Sequence, residues 1–313
     1  MEYKYLFGPV PSRRLGISLG IDLVPPKTCS YNCIYCECGK TTNLTITRKE
    51  YFPTDNIIEE LDDALKKHPH LDYITYSGSG EPTLHTGIKE ITKFLKKNYP
   101  EYKIALLTNG SMFWDENVRK ECLGIDLVVP SLDSSVDETF KKIDRPHREL
   151  KIDKVNNGII KFSQEFSGTI WLEIFIVPGI NDTISEIEKM DEVIKKIKPE
   201  KVQLNTLDRP GVVSWIKPAS DDSLKHISLL ITHNNVEIAK KPAERLSSEV
   251  FSGDVSELIL NTIKRRPCTL EDISEITALH INEINKYLGV LVEKNLISES
   301  SGERGVFYSA KEK

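Results

Sequence analysis

Four of the chain's six cysteines crowd into the stretch Thr28-Cys29-Ser30-Tyr31-Asn32-Cys33-Ile34-Tyr35-Cys36-Glu37-Cys38, while Cys122 and Cys268 stand alone. In a chain this long such crowding reads as metal binding rather than as a framework of disulfides. Thiolates at Cys29, Cys33 and Cys36 can ligate only three irons of a cubane, which leaves one iron free to take a small molecule. Recruiting Cys38 as a fourth ligand would instead close a tetrahedral zinc site.

Other polar groups recur just after apolar runs. Ser77-Gly78-Ser79-Gly80-Glu81-Pro82-Thr83-Leu84 offers glycines for close backbone approach and then a carboxylate. Thr108-Asn109-Gly110 and Ser131-Leu132-Asp133-Ser134 add hydroxyl, amide and carboxylate groups, although such residues also form ordinary turns. A charged Glu173 lies inside the apolar run that ends at Val177, and needs a partner if buried. Gln203, Asn205 and Asp208-Arg209-Pro210-Gly211 follow. A closed zinc site leaves these motifs without a purpose.

Cys-x3-Cys-x2-Cys with an aromatic residue, Tyr35, before the last cysteine resembles the signature of the radical S-adenosylmethionine (SAM) superfamily. The resemblance implies that Cys29, Cys33 and Cys36 hold a [4Fe-4S] cluster and that SAM binds its open iron. Ser79-Gly80-Glu81 resembles the family's GGE motif, which receives the SAM ammonium group; here serine replaces the first glycine. By the same resemblance Tyr35, Asn109, Ser131, Asp133, Val177 and Asn205 stand where SAM is contacted. The implied activity is reductive cleavage of SAM to a 5'-deoxyadenosyl radical that abstracts hydrogen from a substrate, fed by an electron donor of ferredoxin or flavodoxin type. Residues 7–16 and 36–42 resemble a branch of iron-sulfur oxidoreductases distantly related to the tRNA wyosine-forming enzymes, a relation that does not name a substrate. With no cysteine cluster downstream, a second iron-sulfur centre is not expected.

The elements that position these groups are legible as six apolar runs at residues 18–24, 73–77, 103–108, 126–131, 169–177 and 202–207. Residues 56–67, 87–98 and 185–198 place apolar side chains three and four apart, as helices do. Strands alternating with helices predict an α/β fold with a parallel sheet, here a partial (β/α)6 barrel, and chemistry at the C-terminal ends of the strands. The last sixty or so residues break the rhythm. Helices over 255–265 and 280–294, Thr269 as the N-cap of a helix between them with Asp272 in the capping-box position, and a hairpin over 296–310 are the order of a winged helix-turn-helix domain. The expected division is a catalytic domain at 1–252 and a winged helix at 253–313.

Composition narrows the partners. Among 313 residues, 39% are hydrophobic and 28% charged, and the formal net charge is -5, values of an ordinary globular chain with no global pull on nucleic acid. The first ten residues have no apolar stretch resembling a signal peptide, so a cytoplasmic protein without membrane association is expected. Residues 254–313 carry eight basic and ten acidic side chains, a poor balance for neutralising duplex DNA. That leaves RNA, a peptide or protein, or a small metabolite as substrate. An iron-sulfur DNA-binding sensor without catalysis is the alternative, and it would make the Gly80-Glu81 motif vestigial. Arg13, Arg14, Arg145, His147 and Arg209 flank strand ends and are candidates to grip an anionic substrate group. His85 is a candidate proton carrier or a plain helix-start residue.

Overall fold

The computed structural model describes residues 3–12, 14–67, 69–239, 255–277 and 279–311. Strands β1 (Leu6–Ser12) and β2 (Gly16–Asp22) form an antiparallel hairpin. From β2 the sheet continues through β3 (Tyr73–Ser77), β4 (Lys103–Thr108), β5 (Leu127–Pro130), β6 (Thr169–Ile176), β7 (Lys201–Thr206) and β8 (Val236–Ile238), each parallel to the one before it. The result is an eight-stranded α/β sheet in the order β1 to β8. All six expected runs lie side by side in it, in sequence order.

Hydrophobic spacing explains the helices that link them. In α1 (Thr54–Leu65), Ile57, Leu61 and Leu65 recur four apart and are fully buried; in α2 (Ile88–Asn98), Ile88, Ile91 and Leu95 recur three and then four apart and are fully buried too. α3 (Glu116–Cys122), α4 (Asp137–Ile143), α5 (Ile152–Glu165), α6 (Ile184–Ile197) and α7 (Asp221–Leu230) complete the crossovers. One continuous core joins their apolar faces to strand residues such as Ile74, Tyr76, Leu172 and Leu204.

Residues 255–311 form a separate unit with its own core of Ile259, Ile263, Cys268, Ile273, Ile284, Leu288, Leu291 and Ile297. Its helices are α8 (Val255–Arg265), α9 (Leu270–Thr277) and α10 (Ile281–Glu293). Its three-stranded sheet places β11 (Gly305–Ala310) between β9 (Cys268–Thr269) and β10 (Ile297–Gly302), both pairings antiparallel. The expected cap is present: Thr269 N–H donates to Asp272 Oδ2 at 3.0 Å and Asp272 N–H donates to Thr269 Oγ1 at 3.2 Å, a reciprocal box with aspartate as its acid. The expected boundary at 252/253 lies outside the described residues. Among the described residues no helix is long and apolar enough to cross a membrane.

Two strands of the eight-stranded sheet escaped the sequence reading. β1 carries two prolines and a glycine and a register shift between Phe7 and Val10, which hide its period of two. β8 spans only three residues.

Candidate functional site

The cysteine loop leaves β2 and is sewn to the turn after β3. Lys27 N–H donates to Ser79 O at 2.7 Å, and Glu81 N–H donates to Thr28 O at 3.1 Å. Gly80 makes this possible, since a Cβ there would lie 2.3 Å from the Thr28 carbonyl oxygen. On its other side the loop rests on the end of α4, where Asn32 N–H donates to Asp144 O and Ile34 N–H to Ile143 O, both at 2.9 Å. Cys29, Cys33, Cys36 and Cys38 are free thiols, each half-buried. Burial, with the Glu81 charge behind it, pushes Cys29 up to about 12. Burial and the neighbouring Asp144 raise Cys33, whose Sγ donates to Asp144 Oδ1 at 3.4 Å. Cys36 and Cys38 share a hydrogen bond that holds Cys36 protonated and favours the Cys38 thiolate, a preference reinforced by Lys27 and Arg266.

Glu81 is 2% exposed. Its Oε1 accepts from Thr83 N at 3.0 Å, Thr83 Oγ1 at 2.6 Å and Thr108 Oγ1 at 2.6 Å, and its Oε2 from Asn109 N at 2.8 Å. The carboxylate therefore ties the ends of β3 and β4 together and caps the turn Pro82–Leu84; burial raises its pKa against those four donors. Oε2 accepts the single Asn109 donor, whereas Oε1 accepts three. Asn109 reaches the cysteine loop, its amide donating to Ser30 Oγ at 2.9 Å and to Cys29 Sγ at 3.6 Å.

Opposite lies a second group. Tyr35 stacks on Phe175 with centroids 3.9 Å apart, and its hydroxyl donates to Asp133. Asp133 Oδ1 also accepts from Phe175 N at 2.7 Å. Burial pushes Asp133 up to about 7 and, with the Asp133 charge beside it, raises Asp144 further. Val177 is buried with Ile34, Ile143, Phe175 and Ile216 around Tyr35. Asn205 donates to Glu173 Oε1 at 3.0 Å, the same oxygen that Arg14 Nη1 approaches at 2.5 Å, which identifies a partner for the strand carboxylate. Ser131 bridges to Glu173 through the backbone. The candidate residues thus fall into two sets, Ser79, Gly80, Glu81 and Asn109 on the cysteine loop's one flank and Tyr35, Asp133 and Val177 on its other, with Ser131 and Asn205 linked through Glu173.

Two candidates take other roles. Arg209 is committed to an ion network rather than open to substrate, because a guanidinium this buried needs its carboxylates. His85 is fully buried and accepts Gly87 N–H at Nδ1 over 2.8 Å, so Nε2 carries the proton and donates to Phe52 O at 2.9 Å; burial lowers its pKa, and the ring is a structural brace. Arg13 lies outside the described residues.

Lys27 was not legible beforehand. It holds a left-handed backbone at φ 63°, and its Nζ is buried with no hydrogen-bond partner among the described residues. It lies beside Gly39, where a Cβ would sit 3.3 Å away. A buried, unmatched ammonium is costly, and an iron-sulfur cluster on thiolates is an anion. Four free thiols on one loop next to an ammonium that makes no hydrogen bond fit such a group. Among the described residues no three His, Cys, Asp or Glu side chains converge on one point, as a single ion would require; a cubane presents separate irons to separate thiolates.

The radical SAM superfamily profile matches residues 23–194, more than half of the chain. The chain belongs to the radical SAM superfamily. Members of this superfamily bind a [4Fe-4S] cluster and SAM, and the chain is a radical SAM enzyme. It is 36% identical to a UPF0026 protein of Methanocaldococcus jannaschii over 86% of its own length and 85% of that protein's. It is 37% identical over 96% of its length to a Brachyspira hyodysenteriae protein called GTPase Obg, but spans only 44% of that relative. Among solved structures, TYW1 with a lysine-pyruvate adduct bound superposes with a TM-score of 0.51 at 16% identity, over 70% of this chain and 74% of that one. A radical SAM methyltransferase from Sphaerobacter thermophilus gives 0.53 at 16% identity, over 71% and 66%. At such identities these two likenesses speak for the fold alone.

Proposed function

We propose that the chain is a radical SAM oxidoreductase whose cluster is held by Cys29, Cys33 and Cys36, with SAM bound between the Ser79-Gly80-Glu81 turn and the Tyr35–Asp133 side. The observation that carries the ligand assignment is the set of free thiols on a loop fastened at both flanks, beside the unmatched Lys27 ammonium. When bound, the reduced cluster supplies the electron that cleaves SAM to methionine and a 5'-deoxyadenosyl radical for hydrogen abstraction. The protein's part is to hold, orient and exclude water. Glu81 Oε2 receives the methionyl ammonium, while its Oε1 keeps β3 and β4 in register for that contact. Asn109 steadies the Cys29 sulfur. Tyr35, stacked on Phe175 and bonded to Asp133, gives the adenosyl half a rigid wall in which Val177 fills the apolar floor; Ser131 and Asn205 line the far side.

In this reading the parallel strands form a partial (β/α)6 barrel and residues 253–313 a winged helix that handles or encloses the substrate. An acidic balance over those residues disfavours duplex DNA as their partner, the substrate is an RNA nucleotide, a peptide or protein, or a small metabolite met at the barrel mouth, and the donor is a ferredoxin or flavodoxin of the cytoplasm.

Anaerobic reconstitution tests the reading. About four irons per chain, an electron paramagnetic resonance spectrum that changes when SAM is added, and 5'-deoxyadenosine formed with dithionite are expected. A reconstituted protein with a cluster whose spectrum ignores SAM would overturn it.

A further inference from the structure

Apart from its cysteines, the loop carries one acidic side chain, Glu37, between Cys36 and Cys38, and that carboxylate is bonded to the loop after β7. Glu37 Oε1 accepts the backbone N–H groups of Asp208 and Arg209, each at 3.2 Å, and Oε2 lies 3.7 Å from Arg209 Nη1. Arg209 is 6% exposed; its Nη1 also donates to Asp208 Oδ2 at 3.1 Å, and its other two nitrogens reach the C-terminal unit. Nη2 meets Asp272 at 3.0 Å, and Nε donates to the Pro267 carbonyl at 2.8 Å. Arg304, from the turn between β10 and β11, closes the circuit by meeting Asp208 and Asp272, each at 2.5 Å. The loop after β7 also packs directly on the cysteine loop, with Val213 N–H donating to Ile34 O at 3.3 Å.

The two units bury separate apolar cores, so these charges are a principal described link between them. The second link has the same character. Arg265 at the end of α8 pairs with Asp22 at the end of β2 and lies 4.0 Å over the Phe7 ring. Removing the buried guanidinium leaves its carboxylates uncompensated, and removing a carboxylate leaves the guanidinium short of charge, so the loss of one member is felt by the rest.

We propose that the C-terminal unit braces the cysteine loop through this network, with Arg209 as the shared cation and Glu37 as the positioning residue that fixes Cys36 for the cluster. The proposal deepens the function given above and rests, for its cluster arm, on the ligand assignment made there.

Backbone hydrogen exchange in the cluster-free full chain tests the mechanical link without reference to any ligand. Arg209→Gln is expected to speed exchange at least tenfold both at 268–272 and at 34–39. Glu37→Gln is expected to do so chiefly at 34–39, with a smaller rise at 268–272. Arg304→Gln touches no cysteine-loop residue and keeps Arg209 in place; it serves should the Arg209 variant fail to fold, and it is expected to speed exchange at both segments by a smaller factor. Faster exchange at 268–272 with 34–39 unchanged, in either arginine variant, would overturn the brace. In reconstituted protein, Glu37→Gln is expected to release iron to a chelator about tenfold faster and to shift the reduced cluster's spectrum, with Glu37→Asp restoring part of the wild-type signal. Unchanged release and spectrum would remove Glu37 as positioning residue. Failure of every variant and of wild type to load a cluster, with the exchange coupling intact, would sink the ligand assignment and leave the brace standing.

Discussion

The body and the C-terminal unit solve the same problem, holding a small polar site steady, by different means. Around the cysteine loop the body uses hydrogen bonds in a buried setting: Glu81 with its four donors, Asn109 on Ser30, and Asp133 on Tyr35 and Phe175. The C-terminal unit keeps its own apolar core and meets the body through arginines and aspartates. A fully hydrogen-bonded buried group is rigid and local, whereas a shared ion network transmits the loss of any one member. The body therefore has the means to form its site, and the unit has the means to tension it.

The largest effect should come from the thiols. Replacing Cys29, Cys33 and Cys36 together by alanine is expected to reduce bound iron from about four per chain to none after reconstitution, while Cys38→Ala keeps the cluster. Loss of iron in the Cys38 variant would restore a four-thiolate site and remove the open iron on which the function depends.

Next in size is damage to the smaller core. Ile284 and Leu288 of α10 are buried among Ile259, Ile263 and Ile273. Ile284→Ala should cost about 2 to 5 kcal/mol, as large-to-small substitutions in cores do, in a unit too small to spare it. Hydrogen exchange should show 255–311 opening well below the global unfolding free energy while β3 to β6 stay protected. Equal loss of protection in both would mean that the two cores fold as one and that the comparison drawn here fails.

How far the sequence alone reached follows the same division. Runs such as Tyr73–Ser77 and Lys103–Thr108 announced their strands because both faces are buried and the residues are apolar or β-branched. Thr269 and Asp272 announced a helix start because capping is local chemistry. Glu81 was legible as a candidate but not in its structural role, because Thr108 and Asn109 reach it only through the parallel pairing of β3 and β4. Lys27, Asp144 and Glu37 gave no local signal at all. Each matters through a neighbour far along the chain: Ser79 for Lys27, Cys33 for Asp144, Arg209 for Glu37. Arg209 and Arg14 read as candidates to grip an anionic substrate group, and their partners were not legible because only the fold brings Asp272 and Glu173 to them.

Glu81 gives a smaller and more discriminating effect. Glu81→Ala leaves buried donors of Thr83, Thr108 and Asn109 without an acceptor, a loss of about 3 kcal/mol, seen as a lower unfolding midpoint. Glu81→Gln keeps an acceptor for the three donors at Oε1 but removes the charge and sets an amide NH2 against the Asn109 N–H, so its stability should lie between the alanine variant and wild type while SAM affinity falls roughly tenfold or more. A glutamine variant that binds SAM as tightly as wild type would confine Glu81 to bracing the strands.

The smallest expected effect is a difference of sign with pH between the two regions. Asp133 in the body has its carboxyl raised by burial from an ordinary 3.8 to about 7. The folded state then holds a proton that the unfolded chain has already released, so the contribution to stability is greatest at low pH and declines as pH rises from about 4 to about 7. Asp272 at the interface goes the other way: burial works to raise its carboxyl, but the Arg209 charge, the Thr269 N–H and Arg304 together hold it below 3.8. Its contribution is complete above the unfolded value and is lost only as pH falls beneath about 4. Thermal unfolding of the cluster-free chain against Asp133→Asn should accordingly show the two curves nearest at pH 5 and separating toward pH 8, with the asparagine form gaining. Asp272→Asn should be the less stable form at pH 6 and approach wild type near pH 3, with faster exchange at 255–311 and, through Arg209, a smaller rise at 34–39. If Asp133→Asn runs parallel to wild type from pH 5 to 8, its carboxyl is not the buried acid described here, and the contrast between a hydrogen-bonded body and an ion-held C-terminal unit loses its electrostatic half.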